Sequence, residues 1–299
     1  MTTLLAARRA PDEEGEAQRG RRLRLTASPV AWLVWGAVAF FLVNLAGIIG
    51  SVVVSSFGRE WFDTWFPSGY TAKWYSEAWN EFGLFHVIVV TLEVSALVVG
   101  ISIVIGVPAA YILARRSFPG RRLVTLAFLL PVLMPPLAYG IPLATVLYKF
   151  GFAGNLSGVV LANLVPAVPF VILTMTPFIE QVDPKIESAA RMCGAGLMTV
   201  LLRILTPLLV PGVLAAAILV LVRTVGMFEL TFLTAGPDSQ TLVVALYASM
   251  SSAGIRAQQS VDAMAVMYTG MMVVLLVVAL RFVNPTQLVA RVAEDATAE

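Results

Sequence analysis

One cysteine, one histidine and three lysines are all that this 299-residue chain offers of the residue types that build disulfides, zinc sites and nucleotide-binding loops. A lone Cys193 excludes an intramolecular disulfide and a four-cysteine metal site. His86, the only histidine, removes the zinc-hydrolase patterns and leaves a Ser/His triad a single possible base. No G-x-x-x-x-G-K-[ST] occurs around Lys73, Lys149 or Lys185, so any nucleotide chemistry must come from another chain. Charge is scarce as well: 13% of residues are charged, and a net charge of +2 is too small to point to nucleic acid. What abounds is apolar surface, with 59% hydrophobic residues and a mean hydropathy of +0.86. A soluble domain is roughly half apolar and a quarter charged, so the composition is that of a membrane protein.

A helix needs about 20 mainly apolar residues to cross the hydrocarbon. Six segments meet that length: 29–56, 84–114, 123–148, 159–178, 207–233 and 263–282. The third is interrupted by Pro131, Pro135, Pro136 and Pro142, and the fourth contains Pro166 and Pro169. Residues 241–254 are apolar but too short to span, which predicts a surface or re-entrant helix. The first span is too long for a signal-peptide core and is followed by no convincing cleavage site, so it is expected to be retained. Arginine orients the set, because short cytoplasmic loops carry the Lys/Arg excess. Arg19, Arg21, Arg22 and Arg24 precede span one, and Arg115, Arg116, Arg121 and Arg122 join spans two and three. Lys185, Arg191 and Arg203 join spans four and five, and Arg281 and Arg291 close span six. With six spans all four clusters fall on one side, which predicts cytoplasmic termini.

The resulting division is a disordered cytoplasmic tail (1–27), a six-helix membrane domain (28–283) and a cytoplasmic C-terminal tail (284–299). Within the membrane domain lie an aromatic-rich outer loop (59–83) and a cytoplasmic loop (181–206). Trp74, Tyr75, Ala78, Trp79 and Phe82 share one helical face of the outer loop. That pattern suits an interfacial helix with rings at headgroup level, or a docking surface for a partner.

The cytoplasmic loop is unusual. It is rich in alanine, leucine and methionine, permits helix throughout, and is divided by Gly194 and Gly196, which weaken a helix and permit a turn. This predicts a small helix–turn–helix with exposed apolar residues, suited to docking in a partner's groove. Its residues resemble the "EAA" loop of permease subunits of ATP-binding-cassette (ABC) importers: E-A-A, three residues, Gly, nine residues, then I-x-L-P. Ala189, Ala190, Gly194, Ile204 and Pro207 fall in register; Ser188 stands at the glutamate position with Glu187 before it and Arg191 after the alanines, and Thr206 replaces leucine. The segments "IGVPAAYILARRSFPGRR", "LPVLMPPLAYGIPL" and "FELTFLTAGPDSQTLVVALY" extend the similarity across most of the membrane part. The chain most resembles the spermidine/putrescine branch and its ferric-iron and phosphonate relatives.

This resemblance implies an all-α, six-helix, type I ABC importer permease fold in the inner membrane. The subunit would not be an enzyme and would hold no cofactor. It would pair with a second permease subunit, a different homologous chain; two copies of an ATPase that uses ATP and magnesium would bind the loops. An external binding protein would deliver a polyamine-like cation or zwitterion, with a sugar, ferric iron or phosphonate as alternatives. An intramembrane enzyme or a passive channel is more remote, since neither has a use for the docking loop.

Glu93, Arg223 and Glu229 are the ionisable residues expected within the hydrocarbon, where such groups face a bundle interior or water. On one continuous helix Arg223 and Glu229 point about 120° apart. Two readings stand: a structural Glu93–Arg223 pair, or a substrate pathway lined by Glu229, Met227, Thr224, Tyr139, Arg223 and Glu93. Asn44 and Asn163 suit helix–helix hydrogen bonds. His86 reads as interfacial, Cys193 as a small loop residue, and Pro135–Pro136 as a kink that shapes a gate or serves packing.

Overall fold

The computed structural model describes residues 29–61, 67–251 and 257–282. The expected tails 1–27 and 284–299 lie outside the described residues, as does the middle of the aromatic loop. The chain divides into two units, residues 1–55 and 56–299. The first contains most of helix α1 (Pro29–Phe57), an uninterrupted apolar run in which the amide of Asn44 donates to the Phe40 carbonyl of its own helix, 3.0 Å away.

The second unit is all helical among the described residues apart from one isolated bridge between Gly58 and Tyr70. Its helices are α2 (Lys73–Glu81), α3 (Leu84–Arg115), α4 (Arg121–Leu133), α5 (Pro136–Lys149), α6 (Leu156–Glu180) and α7 (Pro184–Met192). They are followed by α8 (Thr206–Val225), α9 (Glu229–Thr234), α10 (Leu242–Ser251) and α11 (Gln258–Phe282).

The core is made where α3, α6 and α8 meet: Val94 and Val98 pack with Val171, Ile172 and Met175 and with Ala216 and Val220. Small residues allow this. A Cβ on Gly106 of α3 would stand 2.7 Å from Val171 Cγ1, and one on Gly212 of α8 would stand 2.8 Å from the Phe178 ring. Close helix approach through small residues is how spans associate without a hydrophobic drive between them. Hydroxyls in the core bond back to their own helix, Thr91 to the Val87 carbonyl and Ser95 to the Thr91 carbonyl, both at 2.7 Å.

Five helices are long and apolar enough to cross a membrane, or six if the α4–α5 pair counts as one span. That pair covers the expected third span, and its break falls at two of the prolines that interrupt the segment in sequence. The chain bends by 97° between α4 and α5, at Met134–Pro135. Two successive prolines remove two backbone donors, and proline pushes the residue before it out of the helical region; Met134 and Pro135 are both extended, with ψ of 143° and 132°.

The fifth span lies earlier in the chain than expected, over Val200–Val225. It ends at Val225, and Glu229 begins a separate short helix. Gly226, a poor helix former, takes the C-cap, its N–H donating to the Val222 carbonyl. The wheel angle between Arg223 and Glu229 therefore does not apply. Two further segments turn one face inward and leave the other exposed. Helix α10 is tied to α3 by the Leu242 N–H donating to Thr91 Oγ1 at 2.9 Å. In α2, Trp74 and Ala78 are buried against Leu84, Val87 and Met264, and the Trp74 indole donates to the Gly58 carbonyl at 2.7 Å. Of the expected interfacial face, Trp79 is the member left exposed.

Candidate functional site

The loop after α6 folds as the helix–turn–helix its sequence suggests, and each step has a local cause. Asp183 caps α7 by accepting from the Lys185 N–H at 2.9 Å, and Pro184 supplies the fixed φ suited to the first turn. The helix ends in a Schellman motif. The Ala195 N–H reaches the Ala190 carbonyl and the Gly194 N–H the Arg191 carbonyl, with Gly194 at φ +85°. Gly196 has no positive φ and open space around it, so Gly194 alone makes the turn. The chain then winds through Leu197–Thr199 and a π-helical stretch, Val200–Leu205, directly into α8.

The loop residues separate into two sets. Ser188, Ala189, Arg191 and Pro207 are exposed, and Ser188 Oγ donates back to the Pro184 carbonyl. Beside them Met192 (84% exposed), Met198 (71%) and Leu202 (66%) form an open apolar surface. Ala190 and Ile204 instead turn half-buried toward the main core. Glu187 goes furthest inward, at 6% exposure. Its Oε1 accepts from Arg115 Nε at 2.8 Å and its Oε2 from the Tyr111 hydroxyl at 2.8 Å, while Arg191 stands 3.8 Å away. Arg115 also donates to the Val182 carbonyl. Tyr111 and Arg115 were not among the sequence-derived site residues. They sit on the last turns of α3, more than 70 residues before Glu187. The signal was their i,i+4 spacing at a helix end; the lone buried acid that answers it is visible only in three dimensions.

Arg121 pairs with Glu180 at 3.2 Å, so the ends of α3, α4 and α6 and the loop meet at one end of the bundle. Two of the basic clusters thus lie together. At the opposite end His86 Nε2 approaches the Asp238 carbonyl at 3.1 Å, beyond α9.

In the membrane-spanning part, five of the six expected pathway residues converge on the α5–α8–α9 junction. Tyr139 of α5 packs with Met227, Leu230 and Leu147. Among the described residues its buried hydroxyl has no hydrogen-bond partner. Thr224 is buried beside Arg223 on α8. Arg223 forms none of the ion pairs among the described residues; its guanidinium lies over the Phe170 ring, 5.6 Å from the centroid. Glu93 is the exception. It lies on an exposed face of α3 and makes no ion pair, so the structural Glu93–Arg223 pair does not form. The reason is rotation: the buried stripe of α3 is Val90, Val94 and Val98, and Glu93 points away from it. Asn163 behaves as expected, its amide bridging α6 to α9 by donating to Thr231 Oγ1 at 3.2 Å.

Comparison with known proteins bears directly on this arrangement. The sequence profile described as "Binding-protein-dependent transport system inner membrane component" matches residues 102–285. The "Molybdenum transport system permease protein ModB" of Escherichia coli K12 is 31% identical over 183 residues, 56% of this chain and 80% of that protein. A probable molybdenum ABC transporter permease of Haloferax volcanii is 33% identical over 177 residues, 56% of this chain and 64% of its own length. A probable sulfate permease, cysT of Nephroselmis olivacea, is 33% identical over 159 residues, 49% of this chain and 56% of its own. The fold superimposes on a bacterial ABC transporter that imports the acidic polysaccharide alginate, with a TM-score of 0.70 at 17% identity, covering 86% of this chain and 98% of that one. These relatives carry the permease fold and do not carry the expected polyamine branch.

Proposed function

The chain belongs to the binding-protein-dependent inner membrane transport components, and from that premise we propose that it forms half of the pathway of an ATP-driven importer for a small oxyanion of the molybdate or sulfate class. It is a multi-pass transport subunit and not an enzyme; ATP is hydrolysed by a separate subunit. In this reading a second permease completes the pathway, two ATPase copies grip the helix–turn–helix at the cytoplasmic end, and an external binding protein delivers the anion. ATP drives the cycle because it binds the closed ATPase pair better than the open one.

The observation that carries the oxyanion reading is Arg223: a guanidinium within a span that joins none of the ion pairs among the described residues, at the junction that also holds the buried Tyr139. An ionised group in that setting faces a cavity or a bundle interior. A planar guanidinium matches an oxyanion's paired oxygens, and a tyrosine hydroxyl adds one neutral donor. The names of the molybdenum and sulfate relatives point the same way. The polyamine-like cation expected from sequence rests on Glu229 and on Glu93, a carboxylate that joins none of the ion pairs among the described residues.

The two cargoes separate in reconstituted vesicles supplied with binding protein and ATPase. For an oxyanion, Arg223→Gln removes a charged hydrogen bond worth about 2 kcal/mol. Uptake of labelled molybdate or sulfate should then fall about thirtyfold while ATP hydrolysis persists, and Glu229→Gln should be tolerated. Loss of labelled spermidine uptake in Glu229→Gln, with Arg223→Gln unaffected, would reverse the assignment.

A further inference from the structure

An acid in a docking loop is expected to reach out to the docked partner, but Glu187 does the opposite. Its neighbours Ser188 and Ala189 are exposed, whereas its carboxylate is turned into the bundle with both oxygens engaged, one by Arg115 and one by Tyr111. We propose that Glu187 is the joint through which the docking loop carries α3 with it, a positioning residue for transport rather than a contact with the ATPase. The proposal rests on reading residues 181–206 as the ATPase-docking loop.

Three observations support it. First, the loop is covalently continuous with α6 and α8 but not with α3, so rigid motion reaches the inner end of α3 directly only through side chains. The Tyr111–Glu187–Arg115 cluster supplies that link, and Arg115 adds a second tie to the Val182 carbonyl, at the root of the loop. Second, the ion pair at the centre of the cluster is largely buried: the side chains of Glu187 and Arg115 are 8% and 11% exposed. Removing one member leaves the other buried without its partner, which makes the joint stiff and costly to break. Third, motion delivered to α3 does not dissipate. Gly106 brings α3 so close to Val171 that α3 and α6 cannot slide past one another without a clash. Core packing of that kind transmits displacement.

The test separates joint from contact in the assembled transporter. Glu187→Gln keeps the Tyr111 hydrogen bond and loses the ion pairs with Arg115 and Arg191, and Tyr111→Phe does the reverse. Both variants should co-purify with the ATPase at wild-type yield and hydrolyse ATP at nearly the wild-type rate. Uptake per ATP hydrolysed should fall, about tenfold, within the usual range of a coupling energy. Unchanged uptake per ATP in both variants overturns the proposal. So does selective loss of ATPase co-purification in Glu187→Gln, because Glu187 is then a contact. So does failure of both variants to reach the membrane, because the cluster is then scaffolding alone.

A second measurement needs only the full chain. Spin labels on native Cys193 and on Ser117→Cys report the loop relative to the end of α3. The wild-type distance distribution should be narrow and that of Glu187→Gln broad, and an equally narrow distribution overturns the joint. Met192→Asp, on the open apolar surface, tests the docking loop separately. If it leaves ATPase co-purification intact, the docking assignment fails while the spin-label result still decides the joint.

Discussion

At the scale of single residues, the absence of a side chain can matter as much as its presence. Gly106 and Gly100 are six residues apart on α3 and look interchangeable in an apolar run. A Cβ at Gly106 meets Val171 at 2.7 Å, whereas one at Gly100 meets nothing within 4 Å. Gly106→Leu should therefore cost about 1–3 kcal/mol by overpacking, and Gly100→Leu should be close to neutral. Thermal unfolding of the two purified variants in detergent checks this, with a clearly lowered Tm expected for the first alone. Arg223 shows the converse at the same scale. Sequence singled it out because a charge in a span is expensive, yet its supposed partner Glu93 faces elsewhere, since one residue's rotation from the Val90–Val94–Val98 stripe turns a side chain by about 100°.

Among elements, helix ends decided more than helix bodies. The Schellman turn depends on Gly194 at φ +85°, a region that costs a residue with a Cβ about 1–2 kcal/mol. Gly194→Val should loosen the turn and release ATPase from the purified complex. Gly194→Asn should keep most of it, and Gly196→Ala, in open space without positive φ, should keep all of it. A pull-down of ATPase with each variant reads the order. Spans two, four and six were legible because twenty apolar residues leave a chain little alternative in lipid. The helix–turn–helix was legible because Asp183–Pro184 and Gly194 are local signals. The 97° break and the stop at Gly226 were not, because a Pro–Pro pair or a lone glycine announces a bend without its size. That size is set by what packs alongside, here α6 against α4 and Leu230 against Gly140. The inward turn of Glu187 was hidden for the same reason, since its partners arrive from α3.

For the whole molecule, the open question of sidedness can be put to the chain's own thiol. Cys193 is exposed in the loop and is the only cysteine, so the unaltered protein carries one reporter. In vesicles without ATPase, a membrane-impermeant maleimide should label Cys193 in inside-out preparations and leave it unlabelled in right-side-out ones. Ser68→Cys in a Cys193→Ser background should behave oppositely. The inverse pattern would overturn the orientation drawn from arginine. The right-angled α4–α5 pair also bears on how the protein is made. Thirteen and fourteen residues give helices of about 20 Å each, against a hydrocarbon layer of about 30 Å. Neither half can hold a place across the bilayer by its own length, and α4 rests on α6, which leaves the ribosome later. The right-angled form of the pair can therefore settle only once α6 is in place, and the order of settling is expected to depart from the order of synthesis in this chain.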